Sequence, residues 1–149
     1  MNAVGIDVSK GKSTVAVLRP FGEVAASPFD VIHNDSDLNQ LAELIKALPG
    51  ESKVVMEYTG TYYEPVANAL HNAGIFVSVV NPLVLDDYDT NRVRKVKTDK
   101  LDALKIASYA LDKWIKLRKY EPAETVRKTL QIMNRQCIKL NKILVMQKN

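Results

Sequence analysis

Apolar residues recur in two rhythms along this chain, and the changes between them mark out its elements. Residues 3–9 and 13–19 are nearly continuous apolar runs. Gly11 sits in the short turn between them, among Lys10, Lys12 and Ser13, which is the pattern of two buried strands tightly joined. Pro20 to Glu23 makes a second turn, and Val24 to Ile32 reads as a third strand. The close spacing predicts an antiparallel meander. The rhythm then lengthens. Leu38, Leu41, Ile45 and Leu48 predict a helix capped by Asp35 or Ser36 and stopped by Pro49 and Gly50. Lys53 to Glu57 is a short apolar strand that ends on an acid. Thr59, Gly60 and Thr61 turn the chain into a helix with Tyr62, Val66, Ala69, Leu70 and Ala73 facing inward, Pro65 in its first turns and Gly74 as its C-cap. Ile75 to Val80 is the next strand, ended by Asn81 and Pro82. A meander followed by helix–strand units predicts an α/β fold: a mixed sheet with helices on both faces.

Beyond residue 82 the pattern is less regular. Leu83, Val84 and Leu85 fit a brief helical turn, and Asp86, Asp87, Asp89 and Asn91 read as a loop. Arg92, Arg94, Lys95 and Lys97 form a basic run. Thr98 or Asp99 can cap a helix expected to reach about residue 118, with Leu101, Leu104, Ala107 or Ser108, Leu111 and Ile115 at helical spacing. Glu121 and Pro122 break the chain. Val126, Leu130, Met133, Cys137, Leu140 and Leu144 then recur at spacings of 4, 3, 4, 3 and 4. This heptad seam predicts a long helix that packs on a partner helix. The division expected is a domain over 1–118 and a linking or coiled-coil-like helix over 119–149, cut before a further domain. An ordinary final helix packed on its own domain is the alternative.

Composition adds limits. At 149 residues, one domain with a real core is the natural size. A single cysteine excludes an internal disulfide framework and fits a reducing, cytoplasmic setting. No apolar run reaches the length of a membrane span, and the start lacks a signal-peptide pattern. The net charge of +4 conceals a split. Residues 1–90 carry 5 Lys and Arg against 12 Asp and Glu, whereas residues 91–149 carry 16 against 5. An acidic half suited to metal precedes a basic half suited to phosphates.

Candidate chemistry centres on four carboxylates. Asp7 lies inside an apolar run, where an ionised group needs a partner, a hydrogen bond or a metal. Glu57 closes a strand, and open α/β sheets put their ligands at the carboxyl ends of parallel strands. Asp99 and Asp102, three apart at a helix start, can point the same way. Should they converge on that edge, hard divalent cations would relieve their repulsion, and paired ions are the common machinery of phosphodiester chemistry. Each acid also has a plainer reading: a buried hydrogen bond for Asp7, helix caps for Glu57 and Asp99, a surface pair with Lys105 for Asp102. His33 and His71 read as exposed and polar. Tyr58, Tyr62 and Tyr63 could stack on bases, with Tyr62 assigned to the core, and Trp114 reads as helix packing.

Three segments carry a resemblance. Gly5-Ile6-Asp7-Val8-Ser9-Lys10, Met56-Glu57-Tyr58-Thr59-Gly60 and Lys97-Thr98-Asp99-Lys100-Leu101-Asp102-Ala103 closely resemble the N-terminal catalytic domain of the DEDD transposases. These are recombinases of bacterial insertion sequences, related to the Piv-type DNA invertases. The likeness spans roughly residues 3–112, and Asn81-Pro82 shares it. It implies an RNase H-like (RuvC-like) fold in which Asp7, Glu57, Asp99 and Asp102 are catalytic and hold Mg²⁺ or Mn²⁺, two ions in all. It also implies DNA and a structured bridge RNA as partners, a bacterial cytoplasmic setting, and a C-terminal domain bearing a serine nucleophile. None of Ser9, Ser13 or Ser108 matches that serine. Lys10, Lys12, Arg92, Arg94, Lys95 and Lys97 are expected to grip nucleic-acid backbone. The seam makes a homo-oligomer the expected assembly. Two rivals are a non-catalytic nucleic-acid-binding and dimerisation scaffold of the same fold, and an ATP-dependent enzyme of the actin and sugar-kinase superfamily.

Overall fold

The computed structural model describes residues 1–89, 98–123 and 125–148. Five strands form one sheet: β1 (Asn2–Val8), β2 (Lys12–Arg19), β3 (Glu23–Ile32), β4 (Ser52–Glu57) and β5 (Phe76–Val80). Their order is β3-β2-β1-β4-β5. β2 pairs antiparallel with both β1 and β3, as the tight turns dictate, while β1, β4 and β5 run parallel. Five helices accompany the sheet: α1 (Asp35–Ala47), α2 (Glu64–Asn72), α3 (Pro82–Asp89), α4 (Asp99–Asp112) and α5 (Thr125–Lys148). The expected mixed sheet, meander first and parallel strands after, is present.

Strand alternation divides the core in two. Val4, Ile6 and Val8 of β1 join Val15, Val17, Val54, Met56 and Val77 under α1 and α2. Ala3 and Val55 point the other way, into a second cluster with Leu85, Ile106, Tyr109 and Ala110. Gly5 lies between Ala3 and Asp7 on that second face. A Cβ there would fall 2.2 Å from the Ala103 carbonyl oxygen and 2.4 Å from the Ala107 nitrogen. Helix α4 therefore rests its backbone directly on β1, which only glycine permits.

These contacts fix the direction of α4. Gly5 meets Ala103 and Ala107, while Ala3, earlier in the strand, clusters with residues 106, 109 and 110. At the start of β4, the Lys53 ammonium donates to the Trp114 carbonyl at 3.0 Å, just past the helix end. So α4 runs antiparallel to β1 and β4, with its N-terminus toward their carboxyl ends.

Several expectations need correction. Residues 82–89 are helical rather than a turn and a loop. The Asn81 side chain accepts the Leu83 N–H at 2.9 Å, and Leu85 anchors the helix in the second core. Helix α4 stops at Asp112, well before 118, and a turn follows it. Its buried stripe is Ala103, Ile106, Ala107, Tyr109 and Ala110, whereas Leu101 and Ile115 are exposed. Alanines occupy positions 103 and 107 because the helix must approach Gly5 so closely there. Asn34, not Asp35 or Ser36, caps α1, accepting the Asp37 N–H at 2.7 Å. Tyr62 is half exposed, and Tyr63 packs on the core instead. His33 is partly buried, with its Nε2 2.8 Å from the Ser13 hydroxyl. Trp114 lies beyond α4, where its ring packs on the second cluster and sits 4.7 Å from the Lys53 ammonium.

The segment after α4 returns along the outer strand. The Tyr120 N–H donates to the Val77 carbonyl at 2.7 Å, and its hydroxyl donates to Asn68 Oδ1 at 2.9 Å. In α5, Leu130, Met133, Leu140 and Leu144 of the heptad seam are exposed, as is Cys137. The Val126 side chain lies outside the described residues.

Candidate active site

Register brings the first two acids together. Gly5 pairs with Val55 and Ile6 with Met56, so the next step sets Asp7 opposite Glu57. Neighbouring strands lie about 4.8 Å apart. Asp7 follows Ala3 and Gly5 on the α4 face, and Glu57 follows Val55 on the same face. Both are partly buried. One further ladder bond, from the Tyr58 N–H to the Val80 carbonyl at 2.8 Å, holds the chain straight past Glu57. The turn comes immediately afterwards, with Gly60 at φ 59°.

Asp99 and Asp102 occupy the first turn of α4, which Thr98 caps by accepting the Leu101 N–H at 3.3 Å. Asp99 is four residues before Ala103 and Asp102 four before Ile106, so both extend the stripe that faces the sheet. Asp102 is partly buried and Asp99 exposed. The antiparallel run of α4 directs this turn toward the edge where Asp7 and Glu57 end. Among the described residues, however, no three Asp, Glu, His or Cys side chains form a group that could hold a metal ion. The fold thus turns the N-terminus of α4 toward the edge where β1 and β4 end.

A fifth acid, Asp30, escaped the sequence reading. Asp7 pairs across the strands with Thr14, and Thr14 with Asp30, continuing one lateral row over the sheet. The buried Thr14 hydroxyl donates to Asp30 Oδ1 at 2.8 Å, and the Lys12 ammonium lies 3.5 Å from Oδ2. That hydroxyl first, then Lys12 and Lys100, hold the Asp30 carboxyl below its ordinary range against a smaller opposing effect of desolvation. A buried threonine facing an acid across a hairpin is a signal visible only once the register is known.

The basic residues divide. Lys10 and Lys12 are exposed at the β1–β2 hairpin, beside the edge where β1 ends, with Lys12 engaged by Asp30. Arg92, Arg94, Lys95 and Lys97 lie outside the described residues. The histidines sit elsewhere: His33 joins the β2 start to the chain entering α1, its pKa lowered by burial, and His71 packs edge-on to Tyr120.

A family model described as "Transposase", of the DEDD and IS110 type, matches residues 4–149. Among solved structures, T. thermophilus RuvC in complex with a Holliday junction substrate aligns with a TM-score of 0.58 at 14% identity, covering 78% of this chain and 96% of that one. A second Thermus thermophilus RuvC structure gives a TM-score of 0.56 at 14% identity, covering 76% and 95%. No curated protein matches the sequence. At such identity the likeness is one of fold, and that fold is RuvC-like, of the RNase H type.

Proposed function

The chain belongs to the DEDD transposase family, and from that premise we propose that it performs metal-dependent phosphodiester cleavage and strand transfer on DNA, with Asp7, Glu57, Asp99 and Asp102 as its catalytic acids. The observation that carries this reading is the β1–β4 register, which runs to Ile6 and Met56 and so brings Asp7 and Glu57 to adjoining strand ends, with the first turn of α4 directed toward that edge. RuvC in complex with a Holliday junction makes branched DNA a reasonable class of substrate. Membership of the family sets aside the reading as an ATP-using enzyme of the actin superfamily.

The donor set suits Mg²⁺ or Mn²⁺: carboxylate oxygens are hard ligands, and two of them stand side by side. Asp7 and Glu57 would hold the ion, with Asp99 and Asp102 completing its surroundings. A bound ion supplies Lewis-acid stabilisation of the scissile phosphate. The chain's own residues do the rest. β1 and β4 fix two carboxylates at strand spacing. Lys10 and the basic residues Arg92, Arg94, Lys95 and Lys97 position the backbone without reading its sequence. A serine from a further domain, a structured bridge RNA and assembly of copies through α5 complete the proposal.

Calorimetric titration of Mn²⁺ into the wild type and into Asp7→Asn tests it. Binding is expected in the first and lost in the second; equal binding in both would remove Asp7 from the site. One observation favours the non-catalytic scaffold instead, the lack of a three-donor group among the described residues. Failure of the wild type to bind metal even with nucleic acid present would decide for that rival.

A further inference from the structure

A cavity of ≈ 380 Å³ opens between the turn after β4 and helix α5. Its first wall is aromatic. Tyr58, the residue after Glu57, is 46% exposed, and its ring lies 5.1 Å from that of Tyr63. Tyr63 meets Tyr120 edge-on at 6.1 Å, and Tyr120 meets His71 in the same way. Four rings in contact thus run inward from the surface, so the outer one is backed rather than loose. The opposite wall is polar. Lys128, Gln131 and Arg135 recur at helical spacing on the side of α5 turned to the domain, away from the exposed seam. Lys128 is paired with Glu64 across the cleft, which ties the walls together. Gln131 and Arg135 are exposed and line the same wall.

We infer that this cleft binds an unpaired nucleotide of a nucleic-acid strand, its base stacked on Tyr58 and its phosphate held by Arg135. A supported aromatic face opposite a guanidinium is the pairing that single-stranded nucleic acid requires: every base offers a π-face and every linkage a negative charge. A duplex hides its base faces and cannot use Tyr58. The inference rests on the proposed phosphodiester chemistry, since Tyr58 directly follows Glu57 in the chain and places the cleft on the other face of the same strand end.

The test is strand binding by the full chain in EDTA, with 2-aminopurine fluorescence reporting stacking. Short single-stranded DNA and RNA and a blunt duplex serve as probes. Tyr58→Ala and Arg135→Ala are each expected to weaken single-strand binding at least tenfold, with Tyr58→Phe within about twofold of wild type. Both positions are exposed, and circular dichroism checks that the variants fold. A preference for DNA or for RNA identifies the source of the nucleotide. Absence of single-strand binding, unchanged binding by Tyr58→Ala, an equal loss with Tyr58→Phe, or a duplex bound as well as a single strand would each overturn the inference. Because EDTA removes metal, failure of the Asp7→Asn titration and failure of this binding test are separate results.

Discussion

Single residues decide much here, and Gly5 decides most. Its missing Cβ lets α4 lie on β1, and the nearest obstacle to a methyl group is helix backbone, which cannot rotate aside. Gly5→Ala is therefore expected to destabilise the domain by about 3 kcal/mol or more, read as a lower denaturant midpoint. Tyr63 supplies a prediction of pH dependence. Burial, with smaller contributions from Tyr120, Glu64 and Tyr58, pushes its phenol from 10.0 up to about 12. A raised folded-state pKa means that stability is fully present below the unfolded value and is lost as pH rises from 10 through 12. Ultraviolet titration should find one tyrosine ionising last, and Tyr63→Phe should remove that late step and flatten the alkaline loss of stability. Asp30 shows the opposite sign: its carboxyl is held low, so its contribution falls away as the solution is acidified through the folded-state value. Thr14→Val should move the Asp30 carbon resonance in an NMR titration toward ordinary aspartate behaviour. Asp7 and Glu57 were legible in the sequence because a charge in or at the end of an apolar run is locally anomalous. Asp30 was not, because its partner is on another strand.

At the scale of elements, alternation and helical spacing identified all five strands and four of the five helices, and they failed where size rather than apolarity selects the inward face. The leucines of α4 look like its core stripe, yet Ala103 and Ala107 hold the contact with β1, since bulkier residues cannot fit over Gly5, and Ile106 and Tyr109 supply the large buried side chains. Helix α3 was hidden by its acids: Asp86, Asp87 and Asp89 suggest a loop, but Leu85 and Tyr88 give the helix its anchor. Caps follow hydrogen-bond reach, and Asn34 has it. Asn34→Ala should cost about 1 kcal/mol in urea unfolding, while Asp35→Ala should change little.

For the whole molecule, the seam of α5 is the feature the sequence stated most plainly, and the exposure of Leu130, Met133, Leu140 and Leu144 leaves it available to another helix. We expect Leu130→Glu with Leu140→Glu to abolish self-association in sedimentation while leaving the thermal melt of the sheet domain in place, because neither leucine touches its core. Retained association would place the contact elsewhere. The return of the chain past β5 gives this expectation a wider consequence. By donating to Val77, the Tyr120 N–H occupies a carbonyl that would otherwise face outward from the last strand. On the opposite flank β3 carries Pro28, which has no amide hydrogen to offer, together with the charges of Glu23 and Asp30. Both borders of the sheet thus carry a feature that discourages strand addition, so concentrated protein should resist cross-β fibre growth, and copies that gather should do so side by side along their helices, reversibly.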